Sequence, residues 1–476
     1  MPPTRHEIPA RAAAVELHPV RTFGGTVRLP GSKSLTNRAL LVAALARGKS
    51  RLVNALDCDD SRYLSEALGR LGVAVTETFD DGDSGRRTLN VAGCGGAFPG
   101  REGTFVLGNA GTATRFLTAA LTTSGGTYTV DGDSRMRERP IAPLVDALNV
   151  LGADVRAPTG CPPVSIGPRR LLGGDVNIAG GTSSQFISAI LMAAPLAQKN
   201  TTVRIVGALV SSPYVELTLN VMNDFGAKAW LDNGRGDGHP LFGVVAGRGY
   251  RARDYFVEGD ASTASYFYAA AAITGDTVRV EGVGRETAQG DLRCADVLAE
   301  MGCRVKKEAD AVTVTGAGSL LHGVDCDCSD MPDSVPTLAV VGAFARGRTR
   351  LRGVPHLRHK ESDRIASVAS ELAKLGVTVR EQRDGLEIEG TAGVDDLHGA
   401  EIDSWGDHRI AMAFSVAGLL VPGVVIRDPV VVHKSFPGFF HALASIGGRS
   451  TFRDQSGGPI DEQPIAGSAE TGGVER

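Results

Sequence analysis

The sequence has little of what marks several functional classes. Aromatic residues make up 5% of its 476 residues, too few to build the stacking platforms that bind single-stranded nucleic acid. The formal net charge of −4 excludes a global positive field that would attract nucleic acid or an anionic membrane. Neither a transmembrane-length apolar run nor the apolar core of a signal peptide is found. We therefore expect a cytoplasmic protein with no nucleic-acid or membrane partner.

Cysteine is also scarce, and its spacing is uninformative. The seven cysteines form no CxxC pair and have no histidine spacing typical of a zinc site. The run "DCDCSD" at residues 325–330 has the alternation of a strand that ends in a turn, and we interpret it so rather than as a metal site. Reduced thiols, no metal and no cofactor are expected. Residues 456–476 are polar and rich in Gly, Pro and Glu, which predicts a disordered tail.

A short phrase occurs six times along the chain, at intervals of roughly 75 residues. Each copy, such as "LGRLGVAV" or "LAKLGVTV", combines the last turn of an amphipathic helix, a glycine just beyond the helix end and a short extended segment. The six glycines are Gly72, Gly152, Gly226, Gly302, Gly376 and Gly447. Such regular spacing predicts a protein built from six related units.

A second set of segments alternates with the first. Six helices that are apolar nearly all round, among them "GSKSLTNRALLVAALARG" and "GDHRIAMAFSVAGLL", each begin with Gly, Ser, Thr, Asp or Asn. Strand-like pieces such as "TTVRIVG" lie between them. Each unit thus holds a buried helix, an outer helix and several strands. Two pseudo-threefold domains of three units would bring six helix N-termini around one cleft, an arrangement that suits polyanions.

Basic residues concentrate at these helix starts and at strand ends. They are Lys33, Arg38, Arg115, Arg135, Arg137, Arg139, Arg358, Lys360, Arg364, Arg409 and Lys434. Ser183, Ser184 and Gln185 add neutral donors that suit hydroxyls or phosphate oxygens. Among the cations stand Asp333 and Glu361, which either neutralise their neighbours or move a proton for a bound ligand.

Ten motifs resemble the 5-enolpyruvylshikimate-3-phosphate synthase family of enolpyruvyl transferases. They include "LPGSKSLTNRALLVAALA", "LGNAGTATRFL", "RMRERPI", "SSQFISAILMAAPLA", "HKESDRI", "GDHRIAMAFS" and "HKSFPGFF", and they follow the family's order over residues 22 to 450. The resemblance implies an α/β (α+β) fold, the inverse α/β barrel, with two pseudo-threefold domains of three βαβαββ units each. One domain would comprise residues 1–31 plus 258–455, and the other residues 32–257, with the hinge before Lys33 and near Glu258.

The resemblance also implies a reaction and a site. The enolpyruvyl group of phosphoenolpyruvate would pass to the 5-hydroxyl of shikimate 3-phosphate through a tetrahedral intermediate, with Asp333, Glu361 and Lys33 as catalytic residues. Contacts to shikimate 3-phosphate would come from Lys33, Ser34, Arg38, Ser183, Ser184, Gln185, Ser211, Tyr214, Asp333, His356 and Lys360. Contacts to phosphoenolpyruvate would come from Lys33, Gly111, Arg139, Gln185, Arg364, Arg409 and Lys434. A monomer acting on these two small molecules is expected.

The chain departs from the family pattern at three positions. Phe116 stands where the family often has Pro, and Thr114 replaces a commonly apolar residue, so we expect the helix carrying Gly111 to start differently. Gly111 itself favours inhibition by glyphosate, the family's phosphoenolpyruvate competitor. His356 replaces an Asn, and its imidazole can still form a hydrogen bond.

Two alternative functions remain open at this point. The sister enzyme that acts on UDP-N-acetylglucosamine carries a reactive Cys in a loop, whereas the corresponding "DGDSRMRERP" has none, and we interpret Cys161 as structural. The second alternative is a non-catalytic anion-binding protein of the same fold.

Overall fold

The computed structural model describes residues 8–79, 87–181, 183–232, 240–391 and 393–460. Within these ranges the α-helices are α1 (Lys33–Leu45), α2 (Asp59–Arg70), α3 (Gly111–Leu121), α4 (Ala142–Val150), α5 (Ser184–Ala193), α6 (Ser212–Asp224), α7 (Ala261–Thr274), α8 (Cys294–Glu300), α9 (Val335–Phe344), α10 (Arg364–Lys374), α11 (His408–Ala417) and α12 (Phe439–Ala444). Odd-numbered helices carry the apolar segments, and the outer amphipathic segments form the even-numbered ones.

The strands of the described residues form six small mixed sheets. The first three contain β1 (Ala14–His18), β23 (Glu401–Ile402), β24 (Val425–Arg427) and β25 (Arg449–Arg453); β2 (Gly24–Arg28), β16 (Thr277–Glu281), β17 (Arg304–Lys307) and β18 (Ala311–Thr315); and β19 (Asp325–Asp327), β20 (Arg346–Arg352), β21 (Thr378–Gln382) and β22 (Gly385–Thr391). The other three contain β3 (Ala46–Val53), β4 (Ala74–Phe79), β5 (Arg87–Cys94), β14 (Tyr250–Arg251) and β15 (Asp254–Phe256); β6 (Glu102–Val106), β7 (Thr127–Asp131), β8 (Val155–Arg156) and β9 (Val164–Ile166); and β10 (Gly174–Ala179), β11 (Thr201–Val206), β12 (Ala229–Asp232) and β13 (Leu241–Val244).

All six sheets are built on one plan. In the sheet β6-β7-β9-β8, for example, β6 and β7 run parallel on either side of α3, and β8 and β9 then complete an antiparallel edge. This is the order βαβαββ that the family resemblance implies. Three sheets take a strand from elsewhere in the chain: β1 pairs with β24 and β25, β2 pairs in parallel with β16, and β14 and β15 pair in parallel with β3. The α/β fold is therefore as expected, whereas the closure of each half into a barrel stays a prediction.

The apolar helices are buried, and the six glycines of the repeat end the outer helices. Every residue of α3, α9 and α11 is buried, because these helices lack a polar face. All six repeat glycines have positive φ, from 82° at Gly226 to 110° at Gly302, a conformation in which a Cβ is strained. The "DCDCSD" run forms β19 followed by a turn.

The buried apolar side chains fall into two clusters. One contains residues between 8 and 29 and between 261 and 452, and the other contains residues between 35 and 257. Where the chain passes between the clusters, its two crossings lie side by side: Ser32 N–H donates to Glu258 O at 2.8 Å, and Gly31 forms a bridge with Gly259. We propose the domain division at 31/32 and 257/258 on these grounds.

Two details concern the ends of segments. Helix α1 ends at Leu45, and Ala46 begins β3 directly, so the final "ARG" of the first motif is strand rather than helix. At the other end of the chain, Ile460 N–H donates to Phe452 O at 2.8 Å, so that residues 456–460 turn back on β25; the remainder of the expected tail, 461–476, lies outside the described residues. None of the helices in the described parts of the chain has the length and apolarity that a membrane span requires.

Candidate active site

A polar cleft lies between the two halves, where several helix N-termini meet. Its lining consists of Lys33, Ser34, Arg38, Thr112, Arg139, Ser184, Gln185, Ser211, Tyr214, Asp333, Lys360, Glu361, Arg364 and Arg409. Most of these residues lie in the first two turns of α1 or at the starts of α3, α5, α6, α10 and α11. Of the others, Asp333 precedes α9, Lys360 and Glu361 precede α10, and Arg139 precedes α4. The start of α7 does not line the cleft but lies behind Lys33, because its capping residue Asp260 accepts a hydrogen bond from Lys33 N–H at 3.0 Å. The cleft thus gathers helix starts from both halves, which is an anion-binding arrangement.

The first turns of α1 provide positive charge without a negative partner. Arg38 is buried, and its guanidinium donates to Thr218 Oγ1 at 2.7 Å and to Ser34 O at 2.9 Å, while it lies 5.1 Å from the ring centre of Phe116. Burial lowers the pKa of Arg38 to about 10. Because all these partners are neutral, the charge of Arg38 is uncompensated until an anion enters the cleft. Phe116, at a position where the family often has Pro, supports this side chain.

Arg364 holds three carboxylates at once. Its guanidinium donates to Asp333 Oδ1 at 2.8 Å, to Glu361 Oε2 at 2.7 Å and to Asp407 Oδ2 at 2.7 Å. Asp407 in turn caps α11 by accepting a hydrogen bond from Arg409 N–H at 3.0 Å. One buried cation therefore fixes the two candidate acid–base residues, Asp333 and Glu361, relative to each other.

Asp333 is ionised in this setting. Its second oxygen accepts a hydrogen bond from Arg409 at 2.5 Å. Burial alone would raise the pKa of Asp333, but Arg409 and Arg364 outweigh it and hold the pKa well below the ordinary value. A carboxylate in this state can accept a hydrogen bond from a substrate hydroxyl and attract its proton.

Glu361 is also kept as a carboxylate. Burial acts to raise its pKa, but the nearby charges of Arg364, Arg139, Lys434 and Lys33 hold that pKa well below its usual range. Its backbone is fixed from the opposite half, because Arg135 donates to the carbonyl oxygens of Glu361 and Lys360, each at 3.0 Å.

A second group of cations converges on the carbonyl of Asn109, just before α3. Lys434 Nζ donates to Asn109 O at 2.7 Å across the cleft and lies 3.3 Å from Asp60 Oδ1. Arg139 donates to Asn109 Oδ1 at 2.7 Å. At the start of α3, a Cβ placed on Gly111 would lie 2.7 Å from Arg139 Nη2, so the lack of a side chain there makes room for this guanidinium.

Two lysines point charge into the cleft without a counterion. Within the described residues, neither Lys33 nor Lys360 has a side-chain ion pair or hydrogen bond, although Lys33 is only 8% exposed. Burial lowers the pKa of Lys360 to about 8. Both lysines are thus available to an incoming phosphate or carboxylate.

Ser183 and His356 line a smaller cavity that adjoins the cleft and shares Arg139, Gln185 and Lys360 with it. His356 Nε2 and Ser211 Oγ are 3.3 Å apart, across the two halves. Burial lowers the pKa of His356 to about 3, so the imidazole is neutral, as the Asn it replaces would be. Ser211 is held with φ of 57°, in the left-handed region, at the start of α6.

The family model described as EPSP synthase (3-phosphoshikimate 1-carboxyvinyltransferase) matches residues 17–443. The chain belongs to the EPSP synthase family. The match covers both halves and all the helix starts that line the cleft.

Relatives and solved structures agree with this assignment. The chain is 48% identical over 427 residues to the 3-phosphoshikimate 1-carboxyvinyltransferase of Thiobacillus denitrificans, covering 89% of this chain and 96% of the relative. It is 45% identical over 453 residues to the chloroplastic enzyme of Brassica napus, covering 92% and 86%. The EPSP synthase of Acinetobacter baumannii superposes with a TM-score of 0.74 at 27% identity, covering 92% of this chain and 99% of that one. The enolpyruvyl transferase NikO of Streptomyces tendae, 20% identical over 93% and 99%, has the same fold with a TM-score of 0.73.

For this member of the EPSP synthase family, the structure brings most of the expected site residues together. Thirteen line the cleft, Ser183 and His356 line the adjoining cavity, and Gly111 and Lys434 contact the Arg139–Asn109 group. Asn109, Thr112 and Asp291 also lie at the site but are not among the expected residues. Gln185 Nε2 donates to Thr112 Oγ1 at 3.2 Å, and Asp291 accepts a hydrogen bond from Tyr214 at 2.6 Å. Asn109 and Thr112 could have been found from the sequence because they lie beside the expected Gly111. For Asp291 the one signal was its place in "QGDLRCADVL", another of the ten motifs.

Proposed function

We propose that this chain transfers the enolpyruvyl group of phosphoenolpyruvate to the 5-hydroxyl of shikimate 3-phosphate and releases phosphate, a step of aromatic amino acid biosynthesis. One observation carries the proposal: two carboxylates share Arg364 in a cleft where Lys33, Arg38 and Lys360 have no carboxylate partner among the described residues. Two trianionic or dianionic substrates would supply the missing negative charge, and the carboxylates supply the acid–base chemistry.

In the first half of the reaction, Asp333 orients the 5-hydroxyl and accepts its proton as the oxygen adds to C2 of phosphoenolpyruvate. Glu361 delivers a proton to C3, which gives a tetrahedral ketal phosphate. Glu361 has to be protonated for this, and the cations around it oppose protonation in the empty cleft. Bound phosphate and carboxylate groups would offset Arg139, Arg364 and Lys434 and so raise the pKa of Glu361 toward the value that a general acid needs.

In the second half, C3 loses a proton and the C2–O bond to phosphate breaks, which leaves the enolpyruvyl ether. The cations at the cleft floor stabilise the leaving phosphate. We assign phosphoenolpyruvate to the side of Gly111, Arg139, Gln185, Arg409 and Lys434, and shikimate 3-phosphate to the remaining expected contacts. Lys33 lies at the crossing between the halves, where it can contact both substrates, and Arg364 organises the carboxylates between them.

Phosphate release on mixing both substrates with the enzyme tests the proposal, with each substrate omitted in turn as the control. If no phosphate is released even when both substrates are present, the result would support an anion-binding protein without this activity. Replacing shikimate 3-phosphate by UDP-N-acetylglucosamine tests the sister activity. That alternative is disfavoured by the Cys161 thiol, whose pKa burial raises, because a reactive Cys needs a stabilised thiolate.

The remaining expectations are part of the same proposal. We place the enzyme in the cytoplasm and expect a monomer in size-exclusion chromatography. Helix α3 begins at Gly111 itself in spite of Thr114 and Phe116, and the space beside Arg139 is preserved. We therefore expect inhibition by glyphosate that is competitive with phosphoenolpyruvate; an inhibition curve at fixed phosphoenolpyruvate measures it.

A further inference from the structure

The hydroxyl of Tyr214 lies between two carboxylates of the opposite half. It is 2.6 Å from Asp291 Oδ2 and 3.2 Å from Asp333 Oδ2. Asp291 is 1% exposed and stands in the helical turn before α8, and its other oxygen accepts a hydrogen bond from Ser334 Oγ at 2.9 Å. The phenol therefore connects Asp333 to a second, buried carboxylate, and among the described residues Tyr214 is the one member of the cleft lining that is hydrogen-bonded to Asp291.

Asp333, Tyr214 and Asp291 form a hydrogen-bonded series in which the position of each hydrogen can be assigned. A phenol carries one hydrogen, and the shorter contact shows that Tyr214 donates it to Asp291. The phenol oxygen is then free to accept a hydrogen bond from Asp333, but an ionised Asp333 has none to donate. The hydrogen bond from Asp333 to the Tyr214 oxygen therefore forms only after Asp333 has gained a proton.

The two carboxylates differ in their charge environment. Asp333 has two arginines bonded to it, which oppose its protonation. Asp291 has no ion pair within the described residues, and burial and the neighbouring charge of Asp333 raise its pKa to about 6. A proton that reaches Asp333 is therefore bound more tightly if it moves on to Asp291.

We propose that Asp291 receives, through Tyr214, the proton that Asp333 removes from the acceptor hydroxyl. The inference rests on the proposed function. The O–H bond of the 5-hydroxyl breaks as its oxygen bonds to C2, and the proton joins Asp333. That proton then passes to the oxygen of Tyr214 while the original phenol hydrogen passes to Asp291. Asp333 is again a carboxylate held by its two arginines. When the C2–O bond to phosphate breaks, the proton returns through Tyr214 to Asp333 and passes to the departing phosphate oxygen.

Asp291 is surrounded by few groups that could titrate in its place. From the packed elements, those that face it are Tyr214 of α6, Asp333 and Ser334 of the turn before α9, Arg409 of α11 and Cys294 of α8. Burial and the charge of Asp291 raise the pKa of the Cys294 thiol, and burial raises that of the Tyr214 phenol, so both stay protonated. Asp291 is thus the group in this cluster that changes charge near pH 6.

Asp291→Asn is the decisive variant, because it keeps the shape and the hydrogen bonds but cannot receive a proton. For wild-type enzyme we expect kcat to fall as the pH drops through about 6, where Asp291 becomes protonated. The variant is expected to lose about tenfold or more in kcat, to show no such fall between pH 5 and 8, and to change the KM for shikimate 3-phosphate less than about threefold. Any fall in kcat that comes from the second ionisation of the substrate phosphate near pH 6 appears in both enzymes, so the fall assigned to Asp291 is the part that wild type shows and the variant does not.

Asp296→Asn is the matched control, since it removes the same charge from an exposed residue of α8 that pairs with Lys307 at 2.6 Å. It should retain wild-type kcat and the acidic fall. Tyr214→Phe, which interrupts the path and leaves both carboxylates in place, should abolish the acidic fall, even if Asp291→Asn does not fold. Combining Tyr214→Phe with Asp291→Asn should cost no more in kcat than the larger single loss.

The outcomes separate the two levels of inference. A wild-type chain that releases no phosphate overturns the proposed function and the relay with it. If wild type is active but the Asp291→Asn or Tyr214→Phe variant keeps the acidic fall in kcat, the proton transfer through Tyr214 to Asp291 is overturned and the proposed function is not. Losses that add in the double variant would also overturn this proton transfer.

Discussion

Gly111→Ala is the smallest change that tests where phosphoenolpyruvate binds. The added methyl carbon would lie 2.6 Å from Arg115 Nη1, 2.7 Å from Arg139 Nη2 and 2.9 Å from Arg139 Cζ. Arg115 is fixed by the carbonyl oxygens of Gly111 and Pro140 and by the ring of Phe186 below it. Arg139, tied by one nitrogen to Asn109, is therefore the side chain that gives way.

The size of the effect follows from the bond that Arg139 would lose. A hydrogen bond between charged groups is worth about 1.5–3 kcal/mol, and about 1.4 kcal/mol corresponds to a factor of ten. We expect the KM for phosphoenolpyruvate to rise by roughly 10- to 100-fold, with little change in the KM for shikimate 3-phosphate. Alanine favours the helix by about 0.5–1 kcal/mol over glycine, which offsets part of the crowding, so the melting temperature should move by only a few degrees.

Steady-state phosphate release with either substrate varied measures both constants. Gly69→Ala is the matched control, because it makes the same substitution near the end of α2 in the same half, where a Cβ would meet nothing within 4 Å. It should leave both KM values unchanged. An unchanged KM for phosphoenolpyruvate in Gly111→Ala would refute the placement of this substrate against Arg139.

Three further predictions concern the carboxylates and the closure of the cleft. Asp333→Asn and Glu361→Gln should each lower kcat by about 10²- to 10⁴-fold with KM values within about fivefold; near-normal turnover would contradict their roles. Because the pKa of Asp333 is depressed, its ionised form stabilises the fold above about pH 4 and that stability is lost as the pH falls further; urea unfolding should therefore depend less on acid in Asp333→Asn than in wild type. Arg135→Ala removes two bonds across the cleft and should raise both KM values a few-fold, whereas Arg137→Ala, which pairs with Asp131 in its own half, should not.

The parts of the fold that the sequence predicted are those decided by local chemistry. The glycine at position 72 is needed because the chain turns there with φ of 88°, and neighbouring residues alone require it. An all-apolar helix such as α9 has to be buried wherever it lies. The prediction of six units depends on these glycines and apolar helices recurring at a regular interval, and the structure has one sheet for each unit.

The parts that could not be predicted from residues alone depend on contacts between distant segments. Tyr214 and Asp291 are 77 positions apart, and Arg364 and Asp407 are 43 apart; no local pattern indicates either pair. Ser211 takes a left-handed conformation that its residue type does not favour, because its N–H donates to Ser329 O in the other half at 3.0 Å. The resemblance to a family supplied Ser211, Tyr214 and Arg364 for the site, but their partners came from the structure.

Arg364 shows why those partners matter for the chemistry. A guanidinium has five N–H groups, and four of them here donate to Asp333, Glu361 and Asp407. One N–H remains without a partner among the described residues, so Arg364 can offer phosphoenolpyruvate a single hydrogen bond while its carboxylates stay in place. A bidentate grip on the substrate would release Asp333 or Glu361. The main work of Arg364 is therefore to keep a base and an acid apart and charged, and tight binding of phosphoenolpyruvate has to come from the cations with donors to spare, such as Lys33.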